Sequence, residues 1–142
     1  MRTIIHAVHV HVPPAKVYRA LTTRDGLSGW WTTQVSLDEG VGGVIRFTFH
    51  GDFHPRMEQT ALEAGRLVRW QCVGGHDNWQ GDEFAFELEE RSGETFLLFT
   101  QQYARELSDE TYGTYNFNWG YYLNSLKQLC EKGEGTPFEP PG

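Results

Sequence analysis

Apolar positions along this chain follow two rhythms. Residues 116–132 read NFNWGYYLNSLKQLCEK, with Trp119, Tyr122, Leu123, Leu126, Leu129 and Cys130 at i, i+3, i+4, i+7, i+10 and i+11. That spacing predicts an amphipathic helix with one broad apolar stripe. Between Trp31 and Tyr103 nearly everything alternates with the period of a strand instead. A long helix after a run of strands needs a sheet to lie on. The expected fold is therefore a curved sheet gripping a helix, with a pocket between the two.

The same rhythms place the shorter elements. Ile4, Val8, Val10 and Val12 share one face of a first strand over residues 3–12, with His9 and His11 on the other. Pro13-Pro14 ends it and starts a helix, since proline fits a first helical turn. Val17, Tyr18, Ala20 and Leu21 give that helix its apolar face, and a second short turn over 24–30 leads into Trp30-Trp31. Strands are expected over 33–37, 44–50, 54–63, 66–73, about 84–89 and 95–103, separated by glycine-containing turns. Ile45, Phe47 and Phe49 point inward from one of them, Val68, Trp70 and Cys72 from another, and Phe84, Phe86 and Leu88 from a third. Ser92-Gly93 is a tight hairpin. In the strand after it, Leu97, Phe99, Gln101 and Tyr103 share the inner face. Ser108 opens the last helical region, aided by Asp109 and Glu110, and Gly113 is expected to interrupt its first turn. The tail GEGTPFEPPG leaves the helix. Hairpin-linked consecutive strands give an antiparallel sheet and an α+β class.

Composition narrows the function classes. The 142 residues suffice for a single domain spanning 1–142. A net charge of −7 disfavours nucleic acid and anionic membranes as partners. No apolar run approaches the ~20 residues of a membrane span. The first twelve residues lack the pattern of a signal peptide, so a cytoplasmic location is expected. Aromatic residues make up 14%, enough to fill a core and also to line an apolar cavity. Cys72 and Cys130 make neither a disulfide framework nor a zinc pattern and are expected to be buried free thiols.

The stretches VPPAKVYRALTTRDGLSGWWT, GGVIRFTF, EAGRLVRWQC, FELEERSGETFLLFTQ, the helix from Trp119 to Leu129 and the following GEGTPF form an ordered set spanning about Val8 to Phe138. In this order they resemble the START-like (SRPBCC) superfamily, and within it the bacterial relatives of the ATPase activator of the 90-kDa heat-shock chaperone. The resemblance implies a helix-grip fold: about seven antiparallel strands wrapped around a long C-terminal helix, two short helices after the first strand, and an internal cavity. It does not imply one chemistry, because members bind lipids, hormones or polyketides and a few are enzymes. The chaperone activator carries a separate N-terminal domain for which this length leaves no room, which counts against a chaperone partner.

Candidate ligand contacts follow from strand and helix phase. Trp30, Trp31, Phe47, Phe49, Trp70, Phe86, Phe99, Tyr103, Trp119 and Leu123 are expected to face the interior, with Gln101 and the Tyr103 hydroxyl as polar anchors. An inward amide needs a partner, which a ligand, a water or the backbone can supply. His9 and His11 sit at a chelating i, i+2 spacing, but no acidic or Cys/His pattern follows at short range to complete a ligand set, so no metal site is expected. His50, Asp52 and His54 are candidates for an acid–base group at a cavity mouth, against the plainer reading of a hairpin loop. There is no nucleophile elbow and no phosphate loop, and no cofactor is expected. The leading expectation is enclosure of a hydrophobic or aromatic small molecule by a monomer or homodimer. A cyclase-, dehydratase- or hydrolase-like enzyme and a co-chaperone module are the alternatives.

Overall fold

The computed structural model describes residues 2–141. Seven strands form one antiparallel sheet: β1 (Thr3–Val10), β2 (Gln34–Leu37), β3 (Val44–Thr48), β4 (Arg56–Glu63), β5 (Leu67–Gly74), β6 (Glu83–Arg91) and β7 (Glu94–Gln102). Their order across the sheet is β1-β7-β6-β5-β4-β3-β2, so the first two strands in the chain lie at opposite edges. Between them run α1 (Pro14–Thr22) and α2 (Arg24–Trp30), and the chain ends in α3 (Asp109–Lys132). This is the helix-grip arrangement, an α+β fold with the long helix held by the curved sheet.

The sheet bends where its pairing slips. β4 and β5 lose register between Arg56 and Met57 and again between Gln59 and Ala61, and such bulges increase local twist and curl a strand. Gln59 is buried there and donates from Nε2 to the carbonyls of Asp38 (3.1 Å) and Gly40 (3.2 Å), fixing the β2–β3 turn to the sheet. At the β6–β7 turn Ser92 and Gly93 both take positive φ, 53° and 79°. Two such residues match the right-handed twist of the strands they join.

The predicted inner faces form the core. Ile45, Phe47, Val68, Trp70, Phe84, Phe86, Leu97 and Phe99 from the sheet, with Trp119, Leu123 and Leu126 from α3, belong to one buried cluster. The two short helices are tied in by side chains. Trp30 Nε1 donates to Ala20 O at 3.0 Å, and Ser125 Oγ donates to Trp30 O at 2.8 Å.

One sequence expectation fails. Gly113 does not interrupt the last helix, which runs unbroken through it. Ser108 accepts from Thr111 N at 3.1 Å as N-cap, and Tyr112 and Tyr115 on either side of Gly113 pack against the core. A single glycine costs a helix only about 1 kcal/mol, and this packing outweighs it. The tail does leave the helix as expected, but it then returns. Phe138 N donates to Trp31 O and Thr33 N donates to Phe138 O, each at 2.9 Å. Among the described residues no helix is long and apolar enough to cross a membrane.

Candidate functional site

A cleft of about 430 Å³ opens where the N-terminal half of α3 meets one end of the sheet. This lies within the usual size range of small-molecule sites. Besides α3, four chain segments outside the sheet build it: the residue after α2, the β3–β4 loop, the 3-10 turn Asp77–Trp79 with His76 before it, and the returning tail.

Its floor is a set of indoles. Trp31 stacks on Trp119 at 5.0 Å between ring centroids and on Trp79 at 6.1 Å, and Trp79 and Trp119 lie 6.0 Å apart at 13°. Phe49 and Phe138 continue one wall at 5.6 Å from each other. Phe53, from the β3–β4 loop, meets Trp79 edge-on at 5.1 Å and 86°. Offset and edge-on contacts are the favourable geometries for aromatic pairs, so the wall is held in place by its own rings.

The rim is polar. His76 Nε2 lies 2.7 Å from the Tyr115 hydroxyl, and Asn78 Nδ2 donates to that same oxygen at 3.3 Å. With Asn78 as donor, the Tyr115 proton is free to point at His76. With Tyr115 donating to Nε2, the neutral His76 ring carries its own proton on Nδ1. Burial lowers the His76 pKa from its ordinary 6.5, against the opposing pull of the Asp52 and Asp77 carboxylates. Burial also raises the Tyr115 pKa. Both groups are thus neutral near pH 7. His50, Asp52, Thr114 and Asn118 complete the rim.

Beneath the floor lies a buried polar relay. Trp119 Nε1 donates to Gln101 Oε1 at 2.7 Å, Gln101 Nε2 donates to Asp82 Oδ2 at 3.0 Å, and Ala104 N donates to Asp82 Oδ1 at 2.7 Å. Desolvation pushes the Asp82 carboxyl up to about 6, with the hydrogen bonds from Ala104 and Gln101 opposing. The Gln101 amide therefore finds its partners in side chains, not in the backbone. The Tyr103 hydroxyl and Trp79 Nε1 are buried without a well-formed hydrogen bond.

Of the eleven residues expected to face a ligand, Trp31, Phe49 and Trp119 line the cleft. Trp30, Phe47, Trp70, Phe86, Phe99, Gln101, Tyr103 and Leu123 are buried around and beneath it, in contact with protein. His50 and Asp52 reach the rim, while His54 Nδ1 accepts from Phe49 N at 3.1 Å within its own loop. Sequence phase did not single out Trp79, His76, Tyr115 or Phe138 as wall residues. The available signal was an indole, in GHDNWQG, inside an otherwise polar turn. Cys72 and Cys130 are free and buried, and desolvation raises both thiols, Cys130 to about 11.

No curated protein matches the chain. Solved structures do. The solution structure of the Aha1 dimer from Colwellia psychrerythraea is 38% identical, with a TM-score of 0.84 over 95% of this chain and 100% of that one. Protein MLL2253 from Mesorhizobium loti is 21% identical, with a TM-score of 0.77 over 90% of this chain and 96% of that one. CalU16 from Micromonospora echinospora is 18% identical, with a TM-score of 0.74 over 95% and 77%. The last two are similar in fold alone. The family model described as Activator of Hsp90 ATPase homolog 1-like protein matches residues 11–131, from the end of β1 to the last turn of α3. Sheet order, gripped helix and sequence agree, and the chain belongs to that family.

Proposed function

We propose that this protein binds a small aromatic or amphipathic molecule in the cleft at the N-terminal half of α3. The carrying observation is the cleft of about 430 Å³, floored by Trp31, Trp79 and Trp119 and rimmed by the His76–Tyr115 pair. Flat rings on the floor suit a flat apolar ligand body. The rim offers hydrogen bonds to one polar end of it. Removal of apolar surface from water drives such binding, at ~25 cal/mol per Å².

The direct test is native mass spectrometry of freshly purified protein with extraction of any bound molecule, joined to titration with anilinonaphthalene sulfonate as an amphipathic aromatic probe. Asn118 is an exposed rim position, so Asn118→Trp blocks the cleft without disturbing the core. A 1:1 complex that this variant abolishes supports the reading. Absence of bound mass, of probe binding and of thermal stabilisation by aromatic compounds refutes it.

A second reading rests on the 2.7 Å contact between His76 and Tyr115. A neutral imidazole accepting a phenol proton at an apolar cleft is an acid–base pair in waiting. It suits proton transfer on an aromatic substrate, as in a cyclase or dehydratase. Turnover of a bound molecule that is lost in Tyr115→Phe, with binding retained, separates enzyme from carrier.

Self-association belongs to the same proposal. The Colwellia relative is described as a dimer, and α3 of this chain leaves Phe117 76% and Tyr121 51% exposed. Sedimentation velocity on the purified chain distinguishes a homodimer from a monomer.

A further inference from the structure

At the end of the β6–β7 hairpin the fold supplies what the local sequence around His9 lacks. Successive β1–β7 partners are His9↔Phe96 and Val10↔Thr95. The pairing therefore brings Glu94 alongside His11, 83 residues away in sequence. All three side chains share the outer face of the sheet. His9 Nε2 lies 2.8 Å from Glu94 Oε1, and His11 Nδ1 lies 3.2 Å from Glu94 Oε2. One potential ligand atom from each residue falls within 4.8 Å of the others.

The geometry points to a divalent-cation site at His9, His11 and Glu94 that takes Zn2+ through two imidazole nitrogens and one carboxylate. Zinc bonds of about 2.0–2.2 Å to nitrogen and oxygen put tetrahedral ligands roughly 3.3–3.5 Å apart. The two contacts to Glu94 are already near that separation, and the imidazole nitrogens lie within 4.8 Å of each other. Imidazole with carboxylate is a donor set suited to zinc and its first-row neighbours. The rings are partly preset. His9 stacks on Phe96 at 4.2 Å and 14°, and the two imidazoles lie 4.1 Å apart. The three side chains are 37%, 52% and 40% exposed, in the order His9, His11, Glu94, so a fourth position stays open to solvent. Such a site exchanges its ion readily.

Nearby charges have also been matched. Lys127 binds the His9 carbonyl and is paired with Glu131 at 2.8 Å, and Glu131 in turn accepts from His11 N at 2.8 Å. The Arg91 guanidinium lies over the Phe96 ring at 4.3 Å. The lysine charge is thus offset. The ion itself replaces the contacts between the imidazoles and Glu94, and any proton they carry is released on binding. The site is separate from the cleft: α3 carries Asn118 at one and Glu131 at the other, roughly 20 Å along the helix axis at 1.5 Å per residue. Bound zinc would staple the end of β1 to the β6–β7 hairpin.

The test is isothermal titration of the chelator-treated full chain with Zn2+, with Co2+ absorption as a report of coordination number. One equivalent of Zn2+ should bind and raise the thermal midpoint. His11→Ala and Glu94→Gln alter exposed side chains, and each should weaken binding by at least about tenfold. His50→Gln, at the cleft rim, should leave it unchanged. Absence of zinc binding overturns the proposal. So does binding that survives both His11→Ala and Glu94→Gln, because another set of histidines would then hold the ion.

Discussion

Trp119 and Gln101 share a 2.7 Å hydrogen bond that joins the middle of α3 to the last strand of the sheet. It is fully buried, and the same amide bridges onward to Asp82. Replacing Gln101 with Leu keeps the volume but leaves the indole N–H and one carboxylate oxygen without partners. Each such loss costs about 1–3 kcal/mol. Gln101→Leu should therefore lower stability by about 2–4 kcal/mol, read from a urea unfolding curve.

Asp82 carries a pH signature. Its folded pKa, about 6, lies above the ordinary 3.8. Between those values the folded state binds more protons than the unfolded one, so the contribution of this group to stability falls as pH rises from about 4 to 6 and is flat above. Asp82→Asn should flatten that limb, although it also loses the bond from Gln101. Unfolding curves taken across this window in both proteins check the slope.

His76 acts with the opposite sign. Its folded pKa is depressed below 6.5 by burial. Stability from keeping it neutral is present above pH 6.5 and is lost as pH falls through the folded value. In an NMR titration the His76 ring resonance should show a midpoint below 6.5. Tyr115→Phe removes its hydrogen-bond donor and should cost about 1 kcal/mol.

Gly75 holds the loop that delivers His76. Its φ is +83°, and a Cβ there would run into the His54 carbonyl. Strain and overlap act together, and Gly75→Ala should destabilise by about 2–4 kcal/mol. A loss below 1 kcal/mol in denaturant titration would show that the loop yields.

Trp79 tests the division between wall and core. Truncating a buried indole costs about 3–5 kcal/mol, so Trp79→Ala should lower the thermal midpoint and remove the probe site together. Trp119→Ala is the comparison. If probe binding survives there while stability collapses, Trp119 serves the core alone.

The sheet and its inner face were legible because alternation is a local signal. Phe84, Phe86 and Leu88 face inward whatever the rest of the chain does. The cleft was harder to read because it is built where regular elements stop. Trp79 sits in a 3-10 turn and Phe138 in the tail, where no period assigns a side, while Asn118 lies off the helical stripe that marked Trp119, and Tyr115 extends that stripe one turn before the stretch in which it was read. Phase could say that Phe47, Trp70, Phe86 and Phe99 point inward, but it could not say that they would pack one on the next and leave the space elsewhere. The contact between Glu94 and the two histidines depends on strand register, which joins residues more than eighty positions apart.

All five tryptophans of the chain meet at one ring. Trp30, Trp70, Trp79 and Trp119 each pack against Trp31 within 6.2 Å between centroids. Indoles this close share excitation, so light absorbed by any of them reaches its neighbours before it is emitted. The intrinsic emission of the protein is thus a collective signal from a single place. Because Trp31 also floors the cleft, an unlabelled molecule entering there would dim or shift the fluorescence of the whole chain.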